Sequence, residues 1–306
     1  MDLLKKGFFA LPFILFLCGF LLQFSGFLQD PNFVLSLDTK ILVQTIILSA
    51  LIVLSGLSFI VFVTLTSDLK YILPVIFIAA ISPILLLPAP LSFIVAGELL
   101  LSLFAVSFLL LQKLKSYLTF QASNLLSPQT KQLITLLVII SSVGFYLAAD
   151  QFITQKGFTL PDSLIDMSLQ FIPKDQLAVG STENNLPALS PEQIALLEKN
   201  PQALKQFGLD PKVLETIKTQ SQSQSQLSPQ ELIKPMIRSQ IDNFIAPYQK
   251  YIPIFLAVIL FFTLQTFSSL LSIFLSPLLS LIFLILEKTG FTHYEVETRE
   301  VKKLVV

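Results

Sequence analysis

Apolar side chains in this chain are gathered into long runs, at residues 8 to 28, 41 to 66, 71 to 88, 91 to 112 and 132 to 149. Each run is long enough to cross a hydrocarbon core about 30 Å thick at about 1.5 Å of helical rise per residue. The pattern therefore predicts five membrane helices in a first domain, residues 1 to 149. Between the third and fourth runs stands "LLLPAPLS", where Pro88 and Pro90 favour a tight hairpin over a continuous helix. Pro12, Pro74 and Pro83 fall inside runs, a placement that membrane helices tolerate.

A sixth apolar run, Tyr251 to Leu286 within a segment 251 to 287, is ambiguous. Two spans would want about 40 residues, and length favours two helices turning near "TLQTFSS". Pro277 instead permits one span followed by a kinked or interfacial piece. The fold class expected is an all-α membrane protein with about seven, six to seven, transmembrane helices.

Residues 150 to 250 break the pattern and predict a small, mainly helical extramembrane domain between spans five and six. Ser190 with Pro191 and Gln193, Asp210 with Pro211, and Ser228 with Pro229 and Glu231 each make a cap-and-proline helix start, and Gly208 is a terminator. "QSQSQSQ", 220 to 226, has no apolar anchor and reads as a flexible tether. From 228 to 246 Leu232, Ile233, Met236, Ile237, Ile241, Phe244 and Ile245 recur at helical spacing opposite Lys234, Arg238 and Asp242, an amphipathic helix for the membrane interface. The polar tail, 288 to 306, alternates like a short strand around Tyr294 to Arg299.

Composition then fixes the solvent. Hydrophobic residues fill 53% of 306 positions against 13% charged, more than a soluble core hides, so the lipid bilayer is the first partner. Twenty basic and twenty acidic residues cancel, which gives no field to recruit nucleic acid. The first run has a basic flank, Lys5 and Lys6, but no small-x-small cleavage site, and Leu17 stands where a lipoprotein box before Cys18 wants a small residue. A retained anchor is expected.

Charge also sets the orientation. Lys5, Lys6, Lys70, Lys113, Lys115 and Lys131 share one side if the N-terminus is cytoplasmic, and of the early short segments only Lys40 lies opposite. This predicts a plasma (inner) membrane protein with residues 150 to 250 extracytoplasmic. Lys288, Arg299, Lys302 and Lys303 draw the tail inside, which needs a single final span, whereas two spans put it outside.

Candidate chemistry is sparse. The one histidine, His293, lies in the tail, and there is no "HExxH" and no Gly-rich phosphate loop. No catalytic residue, metal site or cofactor is expected. Glu98 is the one acidic residue well inside a run, and with no basic residue in any span an ionised form would cost about 2 to 3 kcal/mol. In the inside-start topology Gln23, Gln44, Glu98 and Asp150 all fall toward the outer leaflet, and Ser102 and Ala105 continue the Glu98 stripe as Gly19 and Gly26 flank Gln23. These residues form either helix-packing glue or an outward-facing polar vestibule. The expected function is a non-enzymatic structural, assembly or partner-binding component of a membrane or envelope complex, acting through residues 150 to 250. The alternative is a transporter or channel subunit using a vestibule around Glu98.

Overall fold

A computed structural model describes residues 7–35, 38–117, 120–158, 161, 164–165, 238, 241 and 244–292. The helix starts at Ser190, Asp210 and Ser228, Gly208, the 220–226 tract, most of the 228–246 helix, His293 and the alternating tail lie outside the described residues, as do Lys5 and Lys6. The helices are α1 (Ala10–Gln29), α2 (Thr39–Thr66), α3 (Leu69–Leu86), α4 (Leu91–Ser116), α5 (Ala122–Lys156), α6 (Ile252–Leu271) and α7 (Leu275–Lys288), and no strand occurs among the described residues. A 3-10 turn at Ala246–Tyr251 leads into α6 and another, Ser272–Phe274, joins α6 to α7 without a reversal. Among the described residues six helices are thus long and apolar enough to cross a membrane, the last being Pro247–Lys288 of 42 residues. Six is the lower of the two counts the sequence allows, and the turn near "TLQTFSS" is replaced by helix.

The chain divides into two compact units, one of Met1–Ser25, Ile46–Ser141 and Phe261–Val306, the other of Gly26–Thr45 and Ser142–Leu260. In the first, α1 buries Phe13, Leu17, Phe20, Leu21 and Phe24, a stripe at helical spacing, and leaves Leu11, Leu15 and Leu22 exposed. Phe13 meets the ring of Phe59 at 4.8 Å, and a Cβ at Gly19 would touch Leu51 at 3.5 Å. Contacts that climb α1 while descending α2 make the two helices antiparallel. One turn of α2 also carries Gly56, where a Cβ would come within 3.0 Å of Ile134 and 3.8 Å of the Thr130 carbonyl on α5. The small residue lets those backbones approach. Because Phe13 and Thr130 each lie within the first few turns of their helices and meet adjacent turns of α2, α1 and α5 start at the same end of this unit.

Local chemistry explains the joints. Ser67 adopts φ 50° at the end of α2, its N–H donating to the Val63 carbonyl at 2.9 Å. Asp68 then caps α3, accepting from the Lys70 N–H at 3.1 Å. Inside α3, Pro83 cannot donate to the Ala79 carbonyl, and the Ser82 hydroxyl donates there instead at 2.7 Å. The α3–α4 hairpin turns at Leu87–Pro90, as the two prolines predict. α7 ends in a Schellman turn: Gly290, at φ 69°, donates to the Glu287 carbonyl and Phe291 to the Leu286 carbonyl, each at 2.9 Å. That turn delivers Phe291 against Phe9, ring centroids 5.0 Å apart, while Phe283 meets Phe120 at 5.3 Å. The start of α1, the α4–α5 connection and the end of α7 therefore lie together.

In the second unit, Phe33 stacks edge-on against Phe27 at 4.3 Å and Phe145 at 5.8 Å, and Ala149, Ile153, Leu256 and Leu260 are buried. α5 runs well beyond its apolar stretch of 132 to 149, starting ten residues earlier and continuing to Lys156. Gly157, at φ 75°, ends it by donating to the Ile153 carbonyl at 2.9 Å.

Candidate functional site

α4 turns Val95, Leu99, Leu103, Val106 and Leu110 inward. Glu98 and Ser102, one turn apart, stand half-buried on the flank of that face, and Ala105 is exposed. Glu98 is the eighth residue of α4, about 10 Å along it from the hairpin by helical rise. One of its oxygens, Oε2, is closed off from the surface and meets no hydrogen-bond partner among the described residues. Such an atom carries a desolvation penalty of about 1–3 kcal/mol unless water or an ion reaches it.

Gln23 is half-buried on α1 beside the buried Phe24. Of its two flanking glycines only Gly19 sits in a close helix contact, since nothing lies within 4 Å of a Cβ at Gly26. Gln44 is half-buried near the start of α2 and Asp150 is exposed on α5. Gln23, Glu98 and Ser102 belong to the first unit, Gln44 and Asp150 to the second. Among the described residues none of the five side chains hydrogen-bonds to another.

Another set of polar atoms was not singled out by sequence. Ser49 and Ser55 of α2, Gln129 of α5 and Ser268 of α6 are buried in the first unit, and their side-chain oxygens, like Oε1 of Gln265, lack a partner among the described residues. Ser107, Thr130 and Ser141 show the contrasting solution, donating back to the carbonyls of Leu103, Leu126 and Leu137 at 2.7 to 2.9 Å. A signal existed for part of this set. Gln129 precedes the apolar run, but α5 begins early enough to carry it onto an inner face; Gln265 stands in "TLQTFSS", whose polarity suggested a turn. No protein-family model matches the chain, and neither a curated protein nor a solved structure matches it.

Proposed function

We propose that this multi-pass membrane protein is a non-enzymatic assembly or partner-binding component of the plasma membrane, acting through the segment between α5 and α6. The observation that carries this reading is the projection of α5. Beyond Ala149 it continues for two turns with Gln151, Thr154, Gln155 and Lys156 exposed and Ile153 buried, and the Lys156 ammonium lies 4.7 Å from the Phe152 ring. Such a helix carries exposed polar turns past its apolar stretch, to the border of the segment. At the other border of the segment Tyr248, Lys250 and Tyr251 are exposed before α6, a composition suited to the headgroup layer.

Orientation follows from charge. Lys70, Lys113, Lys115, Lys131 and Lys288 belong to the end of the first unit where Phe9, Phe120 and Phe291 gather, and this end faces the cytoplasm in the proposed topology. The segment after α5 is then extracytoplasmic. Purification of the full chain in mild detergent tests the proposal: a stoichiometric membrane or envelope protein should co-elute, and should be lost when residues 166 to 237 are replaced by a short Gly/Ser linker. Co-elution unaffected by that replacement refutes the assignment of the segment.

The unpartnered Oε2 of Glu98 specifically favours a second reading, a transporter or channel subunit in which this carboxylate meets a permeating cation or proton. Proteoliposomes decide between the two. A cation or proton flux lost in Glu98→Gln with folding intact establishes transport, whereas no flux in either protein leaves the assembly role.

A further inference from the structure

α6 contains 20 residues, about 30 Å of helix, and so matches the hydrocarbon core by itself. The helix nevertheless continues to Lys288. Upright, the whole of Pro247–Lys288 would measure about 63 Å, twice the core. The backbone changes character where α6 has used up the bilayer: Ser272–Phe274 is 3-10, and Pro277 has no N–H to give the Ile273 carbonyl.

α7 is then held at two points. Phe283 packs on Phe120, just before α5, and Phe291 packs on Phe9, just before α1. Since α1 and α5 start at the same end of the unit, α7 and its Schellman turn pass from one helix start to the other. Between the two phenylalanines lie the last five residues of α7, about 7.5 Å of helix, and the Schellman turn that carries Phe291 off its end. A lateral course is what those two contacts describe.

The surface of α7 has three sides. Leu275, Leu279, Phe283 and Leu286 are buried against the protein. At about 100° per residue, Leu278, Leu281 and Ile285 share a second, exposed side, while Ser276, Ser280 and Glu287 share a third, nearly opposite to it. One side for protein, one for acyl chains and one for water is the partition of a helix lying in the membrane interface.

We propose that α7 is an in-plane interfacial helix, laid across the starts of α5 and α1 with Leu278, Leu281 and Ile285 in the lipid and Ser276, Ser280 and Glu287 in the headgroup and water layer. The sixth span ends near Leu271, and α7 attaches the bundle to one leaflet. This holds whichever side of the membrane that leaflet faces, so it stands or falls separately from the proposed function and orientation. The test is spin labelling of the full chain in phosphatidylcholine–phosphatidylglycerol vesicles, with single cysteines at positions 276, 278, 280, 281, 285 and 287 in a Cys18→Ser background. Collision with oxygen should peak at 278, 281 and 285, and collision with a water-soluble nickel chelate at 276, 280 and 287, with no depth trend along the helix. A steady change of depth from 276 to 287 would show an upright second span, and nickel access at all six positions a helix standing out in water; either overturns the proposal.

Discussion

Gly56 and Gly19 look alike in sequence, each a glycine in an apolar helix, yet their surroundings separate them. A methyl group at Gly19 makes ordinary contact with Leu51, so Gly19→Ala gains the helix preference of alanine, up to about 1 kcal/mol, without a clash. At Gly56 the same methyl group crowds Ile134 Cγ1 at 3.0 Å, and a leucine has nowhere to go. Gly56→Leu should destabilise by about 1–3 kcal/mol, read as a lowered Tm in detergent, and Ile134→Ala in the same chain should recover part of the loss. Equal Tm for Gly56→Leu and Gly19→Ala would remove the close crossing of α2 and α5. Sequence could place both glycines in helices but not rank them, because proximity to Ile134 is a property of a partner more than seventy positions away. The same holds for Glu98: its place in a span was legible, the isolation of Oε2 was not.

Among the elements, the prolines at 88 and 90 announced the α3–α4 hairpin because they remove donors where the chain must turn. The polar cluster "TLQTFSS" misled for the opposite reason. In lipid a hydroxyl need not break a helix: Thr266 donates to the Phe262 carbonyl at 2.7 Å. Only the lost donor at Pro277 leaves a mark, in the 3-10 turn just before α7. The end of α7 is a sharper test of local control. Gly290→Val forces a β-branched residue into the left-handed region and should cost about 1–2 kcal/mol, shifting the thermal midpoint downward. Phe291→Ala removes the ring held by that turn. If the turn serves to seat the ring, the double variant loses less than the sum of the two; simple additivity in Tm shifts would separate them.

For the whole molecule, hydropathy and length foretold an all-helical membrane protein, while the parity of spans was beyond their reach. It is carried by two ring pairs, Phe9–Phe291 and Phe120–Phe283, which gather the start of α1, the α4–α5 connection and the end of α7 at one end. In the proposed orientation, cysteines in place of Ser123 and Thr292, in a Cys18→Ser background, should resist an impermeant thiol reagent on intact cells, and one in place of Ser181 should react. Reaction at 292 but not at 123 would mean an odd number of spans; reaction at 123 alone would invert the molecule.

The Phe9–Phe291 pair joins the residue before α1 to the turn after α7. α1 must therefore wait in the bilayer through the insertion of α2 to α7 before the ring at its start finds its neighbour, and loop closure over so long a separation makes that contact late. Quality control has a clear target in the interval. A chain terminated after Lys156 should insert five helices with their proper sidedness and still be degraded several-fold faster than the full chain in a pulse-chase experiment. Supplying residues 244 to 306 as a separate polypeptide should lengthen its half-life.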